Sequence, residues 1–466
     1  MNSLFRVNLD NGRGRRIARD RSYQRIIDAD GEIAAELFYD FDDGDFEIRS
    51  ERGGTIYVGE HSYDRPYVAG FVDETGLALI GVDDPSVKRL DLETGEITPA
   101  YDVPEGEYQG PLRDRYGQVW ALRPRTFGQS HYIIDPALRA DHDALREVMG
   151  EDIWIESFSD DRNKILFATR APTKPPEYLL YDREAADIQF LGRAYPDLAE
   201  RPLPERSMIT YEAADGLEIR AVLTTPPGHD GEPAPLVVLP HGGPAAADGV
   251  RFDWWAQAIA SQGYVVLQPN FRGSAGYGRE FREAGFGEFG GLMIEDILDG
   301  ARHLQAEGIA REGGFCVTGG SYGGYAALMS AVRAPQEVAC VVAVAPVTEP
   351  LTMLGRYTGD GAGAALDWWE DYMGSRFQDA EAAAAISPVA QHHRLTMPVL
   401  LVHGQLDDVV PVTHSRRLAE VMEGADGFSY MELATENHFL QMPRTRRDLL
   451  QRSLALFDET LSDGAP

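Results

Sequence analysis

The chain has little cysteine, little positive charge and no long apolar run. Cysteine occurs twice in 466 residues, at Cys316 and Cys340. That excludes the disulfide frameworks that staple small secreted domains. Both sit in apolar, strand-like runs and read as small core residues rather than as part of a disulfide framework. Lys and Arg number 43 against 75 Asp and Glu, a formal net charge of −32. Nucleic acid and anionic membranes are bound through basic surface, so neither is an expected partner. No apolar stretch reaches the roughly 20 residues that span a bilayer, and no signal peptide is visible. A native start at Met1 would imply the cytoplasm, whereas a truncated start leaves the periplasm or secretion open. No His/Cys cluster has metal-ligand spacing and no phosphate-binding glycine loop opens a helix, so neither metal nor cofactor is expected.

What the chain does have is glycine, 48 residues of it, and one glycine cluster surrounds a serine. Gly319-Gly320-Ser321-Tyr322-Gly323 lies between the strand-like run Phe315-Cys316-Val317-Thr318 and helix formers from Tyr325 to Met329. A serine on a sharp turn between strand and helix can present its hydroxyl as a nucleophile. The bland reading of the same residues is a glycine-rich turn with an idle serine.

A serine hydroxyl needs a base, and the base needs an orienting acid. Both follow in the chain. The apolar run Pro398–Val402 leads into His403-Gly404-Gln405-Leu406-Asp407-Asp408. An aspartate just past a strand's carboxyl end lies on the rim where open α/β sheets place their sites. Asp407 is the candidate acid, with Asp408 the alternative. Phe428–Leu433 alternates like a strand and leads to Glu436-Asn437-His438-Phe439, ahead of a final helix with Leu450, Leu454, Phe457 and Leu461 on one face. Ser321, Asp407 and His438 thus occur in α/β-hydrolase order. Upstream, Leu236–Pro240 runs into His241-Gly242-Gly243-Pro244, a loop able to aim backbone N–H groups at an oxyanion, with the N–H of Tyr322 as second donor. His241 and His403 read as loop-packing residues.

On these segments, together with Gln268–Gly278 and Ser387-Pro388-Val389, residues from roughly 205 to 462 resemble the prolyl oligopeptidase family of serine peptidases, in particular its acylaminoacyl-peptidase-like branch. The resemblance implies Ser321 as nucleophile, Asp407 as acid, His438 as base, and Gly243 and Tyr322 as oxyanion hole. Relatives often have Gly-His-Gly where this chain has Asn437-His438-Phe439. Some carry a substrate-holding arginine at the position of Val409, and Arg272 reads as a loop brace rather than a substitute. The function implied is hydrolysis of peptide bonds in short peptides through a Ser-Asp-His triad and an acyl-enzyme. The alternative is a carboxylesterase using the same machinery, and the third reading is a non-catalytic binding protein on the same scaffold.

Residues 1–200 read differently. Short alternating runs such as Lys88–Leu92 are broken by Asn11-Gly12, Asp30-Gly31, Gly53-Gly54, Thr94-Gly95 and Tyr116-Gly117, a pattern of short strands and turns. The expected architecture is a C-terminal α/β-hydrolase domain over 201–466 preceded by an all-β, propeller-like domain over 1–200. At about 40–50 residues per blade the first 200 residues make only four or five blades, so the array is expected to be incomplete. An open array exposes a strand edge, which makes self-association into a homo-oligomer an expectation.

Overall fold

The computed structural model describes every residue except 1, 9, 21, 23, 41–43, 61–65, 81–86, 102–107, 125–130, 199–200, 356–362, 375–378 and 463–466. The described residues fall into two compact units. One comprises Met1–Arg125, His131–Asp141 and Tyr357–Trp368, the other Thr126–Ser130, His142–Arg356 and Trp369–Pro466.

The smaller unit is built of antiparallel sheets. Gln24–Ile27, Ile33–Tyr39, Asp45–Ser50 and Gly54–Glu60 form one meander. Tyr67–Asp73, Gly76–Ile80, Val87–Asp91 and Ile97–Tyr101 form a second, and Tyr108–Arg113, Val119–Pro124 and Tyr132–Ile133 a three-stranded third. The hairpin Asn2–Val7/Gly14–Asp20 is a two-stranded sheet of its own. Alternation decides which side chains go in: Phe46 and Ile48 are buried while Asp45 and Arg49 point out. Leu37, Phe46 and Ile48 share one core with Val68, Leu77, Leu79 and Leu90 of the next sheet. The glycine dipeptides fall at the hairpin turns, where aspartates tie the backbone: Asp28 Oδ1 accepts from the N–H groups of Asp30 and Glu32 at 3.0 and 2.9 Å.

The larger unit begins with another four-stranded meander, Ile153–Phe158, Lys164–Thr169, Glu177–Asp182 and Asp187–Arg193, whose last strand is paired on one side only. The blade-like sheets among the described residues therefore have four, four, three, four and two strands. One element departs from the all-β expectation: Pro136–Met149 is a helix. Asp135 caps it by accepting from Ala137 and Leu138 N–H at 2.9 and 3.0 Å, Pro136 presets its first turn, and Leu138 and Leu145 are buried at a spacing of seven.

The α/β portion is an eight-stranded sheet. Its strands are β1 (Glu205–Glu212), β2 (Glu218–Thr225), β3 (Leu236–Val238), β4 (Val265–Asn270), β5 (Phe315–Gly320), β6 (Val338–Val344), β7 (Val399–Gly404) and β8 (Phe428–Leu433). Their order is β1-β2-β4-β3-β5-β6-β7-β8, with β2 antiparallel to both its neighbours, β1 and β4, and every other neighbouring pair parallel. The central strands read as unbroken apolar runs because helices cover both faces of a parallel sheet, and every residue of β7 is buried. The helices that matter for the site are α1 (Trp254–Ala260), α2 (Leu292–Ala306), α3 (Tyr322–Arg333), α4 (Thr413–Val421) and α5 (Pro443–Leu461). Val237, Val266, Val342, Val344, Leu400 and Val402 share a core with Ile259 of α1 and Leu449 and Phe457 of α5.

The cysteines correct the sequence reading. Cys316 and Cys340 are both fully buried, as expected of core residues, but they are joined by a disulfide. The cause is register: β5 and β6 run parallel with Cys316 opposite Cys340, which puts both side chains on the same face of the sheet.

Candidate active site

Ser321 stands between β5 and α3 with φ 60° and ψ −121°. A residue with a Cβ adopts such a backbone only at a cost of about 1–3 kcal/mol, which the surrounding structure must absorb. Here the surroundings are tight. Ser321 N–H donates to Val344 O at 2.8 Å, and Tyr325 N–H donates to Ser321 O at 3.0 Å. A Cβ on Gly323 would lie 2.1 Å from Pro240 O, so only glycine lets α3 start this close to the end of β3. The turn holds a half-buried serine in a strained conformation at the carboxyl end of the central strand.

The rim continues strand by strand. Ala345 N–H donates to Val402 O at 2.8 Å, Gln405 N–H to Leu433 O at 2.9 Å, and Leu406 N–H to Glu436 O at 2.9 Å. The carboxyl ends of β5, β6, β7 and β8 are thereby stitched side by side. Beyond β7 and β8 the loops bring Asp407 and His438 together: His438 Nδ1 lies 2.7 Å from Asp407 Oδ2. Because the carboxylate can only accept, Nδ1 carries the proton and Nε2 is left free to act as a base.

Asp407 is held from all sides. Its Oδ1 accepts from the N–H groups of Val409 and Val410 at 2.9 and 2.8 Å, and His403 Nε2 approaches Oδ2 at 3.2 Å. Burial by itself would push this carboxyl up. The hydrogen bonds from His403 and His438, the charge of His438 and the Val410 N–H overcome it and hold the carboxyl far below the usual carboxylate range. Asp408, next in the chain, is exposed. The His438 loop is anchored by buried Glu436, which accepts from the N–H groups of Gln441 and Met442 at 2.9 and 3.0 Å and from the Thr445 hydroxyl. Among the described residues no hydrogen bond joins Ser321 to the imidazole of His438. Such bonds commonly tighten only with substrate in place.

The His241–Pro244 loop lies against the serine. A Cβ built on Gly242 would stand 3.4 Å from Ser321 Cβ and 3.2 Å from Gly320 O. Gly243 follows with φ 127° and is exposed. Tyr322 opens α3, so its N–H has no acceptor within the helix, while its hydroxyl is buried and donates to Phe289 O at 2.7 Å. His241 stacks on Phe271 with ring centroids 4.4 Å apart, its Nδ1 lies 2.7 Å from Gly242 O and its Nε2 2.9 Å from Ser274 Oγ. Burial pushes its pKa down to about 4 in spite of the Gly242 carbonyl, so it is a neutral packing residue.

The Asn270–Gly278 segment is a brace. Asn270 Oδ1 accepts from Asp248 N–H at 2.6 Å, and its amide donates to Asp248 O at 3.0 Å and Tyr277 Oη at 2.7 Å. Arg272 is gripped by Asp296, through Nε and Nη2 at 2.8 and 2.7 Å, and by Asp215, through Nη1 and Nη2 at 2.7 and 2.9 Å. Four of the five guanidinium N–H donors are thus tied to two carboxylates, as a brace requires. Trp369 is buried and packs on Phe289 at 5.6 Å, next to Tyr322 and Tyr325. Trp254 and Trp255 stack on each other at 5.6 Å at the start of α1. Sequence reasoning missed the carboxylates that hold Arg272 and the role of Glu436. Nothing in a sequence pairs residues 215, 272 and 296, but a glutamate two residues before the candidate histidine was a readable signal.

Residues 250–464 match the prolyl oligopeptidase family model. The chain is 27% identical over 427 residues to dipeptidyl aminopeptidase BIII of Pseudoxanthomonas mexicana, an alignment covering 87% of this chain and 59% of that protein. It is 27% identical over 244 residues to the acylamino-acid-releasing enzyme of Arabidopsis thaliana, covering 50% of this chain and 31% of that one. Among solved structures, the acylaminoacyl peptidase of Pyrococcus horikoshii superposes with a TM-score of 0.73 at 19% identity, over 98% of this chain and 74% of that one. At that identity the superposition speaks for the fold: a propeller followed by an α/β-hydrolase. The chain thus spans about three fifths of the length of the first of these relatives.

Proposed function

We propose, on the premise that residues 250–464 belong to the prolyl oligopeptidase family, that this chain is a serine peptidase cleaving short peptides through an acyl-enzyme. Ser321 Oγ attacks the scissile carbonyl carbon while His438 Nε2 takes its proton. Asp407 keeps the imidazole in the tautomer that leaves Nε2 unprotonated and stabilises the imidazolium that forms. The N–H groups of Gly243 and Tyr322 receive the negative charge that grows on the carbonyl oxygen. When the C–N bond breaks, His438 returns the proton to the departing amine. Water, activated by the same imidazole, then attacks the acyl carbon, and Ser321 recovers its proton.

The observation that carries this reading is the 2.7 Å contact of His438 Nδ1 with Asp407 Oδ2 on the rim that also holds the strained Ser321. The names of the relatives, a dipeptidyl aminopeptidase and an acylamino-acid-releasing enzyme, support peptides as substrates. The test is mass-spectrometric analysis of a defined set of short peptides, free and N-acylated, incubated with the wild-type chain and with Ser321→Ala. The reading requires amide-bond cleavage that disappears in the variant. Hydrolysis of short-chain nitrophenyl esters with every peptide intact would instead make the chain a carboxylesterase.

A further inference from the structure

His403 ends the run of β7 that leads to Asp407, and its ring is fully buried. Its Nε2 faces two acceptors, Val410 O at 2.9 Å and Asp407 Oδ2 at 3.2 Å, so that nitrogen carries a proton. In the neutral ring Nδ1 is then the acceptor, and Ser415 Oγ, 2.6 Å away on α4 and also fully buried, supplies a hydroxyl proton to it. The ring is thus fixed at both ends by groups on different elements.

The carboxylate of Asp407 is positioned by four donors. The two backbone N–H groups hold Oδ1 and leave Oδ2 to side-chain partners. Among the described residues, two side chains approach Oδ2: His438 at 2.7 Å and His403 at 3.2 Å. His438 gains and loses a proton in the proposed reaction. His403 is clamped by β7 and α4. The other titratable groups around the pair are the exposed Asp408 and Glu432 on β8, which interacts electrostatically with His403.

We infer that His403 is a positioning residue for the Asp407–His438 pair: its Nε2–H, with the tautomer set by Ser415, holds Asp407 Oδ2 in line with His438 Nδ1. It touches neither substrate nor reacting atoms and acts only through the acid. This rests on the proposed role of Asp407 as the triad acid. A further consequence is that Ser415, which bonds to His403 and, among the described residues, to none of the three proposed triad members, contributes to turnover.

The test uses His403→Leu, which keeps the bulk and removes the donor, His403→Gln, which can restore an N–H toward Oδ2, and Ser415→Ala. The readouts are kcat and KM across pH on a peptide substrate, and the titration of the Asp407 carboxyl by carbon-13 NMR, assigned by difference from Asp407→Asn. The expected result is a fall in kcat of about 10- to 100-fold for His403→Leu with KM unchanged, the effect of losing one hydrogen bond to a charged group. The Asp407 titration should move up in pH, His403→Gln should recover most of both changes, and Ser415→Ala should lie between. In an Asp407→Asn background, His403→Leu should add little. A folded His403→Leu chain with wild-type kcat and an unmoved Asp407 titration overturns the inference. If that variant does not fold, an unaltered kcat and titration in Ser415→Ala overturn it equally. Full activity in Asp407→Asn would instead sink the triad reading, and the NMR titration would still decide whether His403 holds the carboxyl.

Discussion

Replacing Asp407 by asparagine should reduce kcat by about four powers of ten while leaving the chain folded. Four donors converge on the carboxylate, from Val409, Val410, His438 and His403. An amide has one oxygen and one NH2 group. The oxygen can satisfy the two backbone N–H groups at the Oδ1 position, which places the NH2 where Oδ2 was. That group is a donor aimed at His438 Nδ1, so the imidazole must present a lone pair there and carry its proton on Nε2. A protonated Nε2 cannot accept from Ser321. The same change in a chymotrypsin-type triad costs about four powers of ten, which is about 5.5 kcal/mol of transition-state stabilisation. The assay is kcat on a peptide anilide across pH for Asp407→Asn and Asp408→Asn, with thermal unfolding as the control for folding. Asp408→Asn should stay within a few-fold of wild type, since Asp408 is exposed. A loss of less than tenfold in Asp407→Asn, or a larger loss in Asp408→Asn, would refute the reasoning.

Further expectations concern the elbow and the pH dependence of stability. Gly323→Ala should abolish activity and destabilise by more than about 2 kcal/mol, because its Cβ would meet a backbone oxygen at 2.1 Å. Gly320→Ala, whose nearest neighbour is 3.9 Å away, should be tolerated, and urea unfolding with equal losses for the two would contradict the packing argument. Ser321→Gly should unfold about 1 kcal/mol later than Ser321→Ala, since glycine relieves the positive φ at some entropic cost; a Ser321→Ala chain as stable as Ser321→Gly would remove the strain from the account. The buried His241 and the half-buried Asp248 pull stability in opposite directions. His241, pushed down to about 4 by burial, stays neutral in the fold while the unfolded ring takes up a proton below its ordinary 6.5, so stability falls as pH drops through that window. Asp248, pushed up to about 7 by burial and by the charge of Asp253 against the pull of Arg206, keeps a proton that the unfolded chain releases above 3.8, so stability falls as pH rises toward 7. Asp248→Asn should therefore gain about 1–2 kcal/mol more at pH 7 than at pH 5, and His241→Gln should gain more at pH 5 than at pH 7. Parallel pH profiles for wild type and both variants would show that neither group is buried as described.

The local features of the site were legible in the sequence because each is carried by a short segment. Gly319 and Gly323 mark a turn where a Cβ would meet backbone at 2.6 and 2.1 Å, and Asp407 and His438 each follow an apolar run whose end is a strand end. The hairpin turns of the first half were legible for the same reason. What was not legible depends on which segments become neighbours. The disulfide follows from the parallel register of β5 and β6, and no spacing of 24 residues announces it. The clamp of Asp215 and Asp296 on Arg272 joins elements 57 and 24 residues apart, whereas that of Ser415 and Asp407 on His403 is local in the chain but needs the turn from β7 into α4 to bring its members together. The helix Pro136–Met149 had its local signals in Asp135, Pro136 and the buried Leu138 and Leu145, but the turn-rich pattern on either side masked it.

The central claim is that one serine among the chain's many is a nucleophile made so by its turn and by His438. The measurement that tests it most directly is the intact mass of the chain after treatment with a fluorophosphonate, followed by peptide mapping. A single adduct on the peptide carrying Ser321, formed in step with loss of hydrolysis and formed far more slowly in His438→Ala, is the result the account predicts. No adduct, or an adduct on another residue with hydrolysis intact, would contradict it.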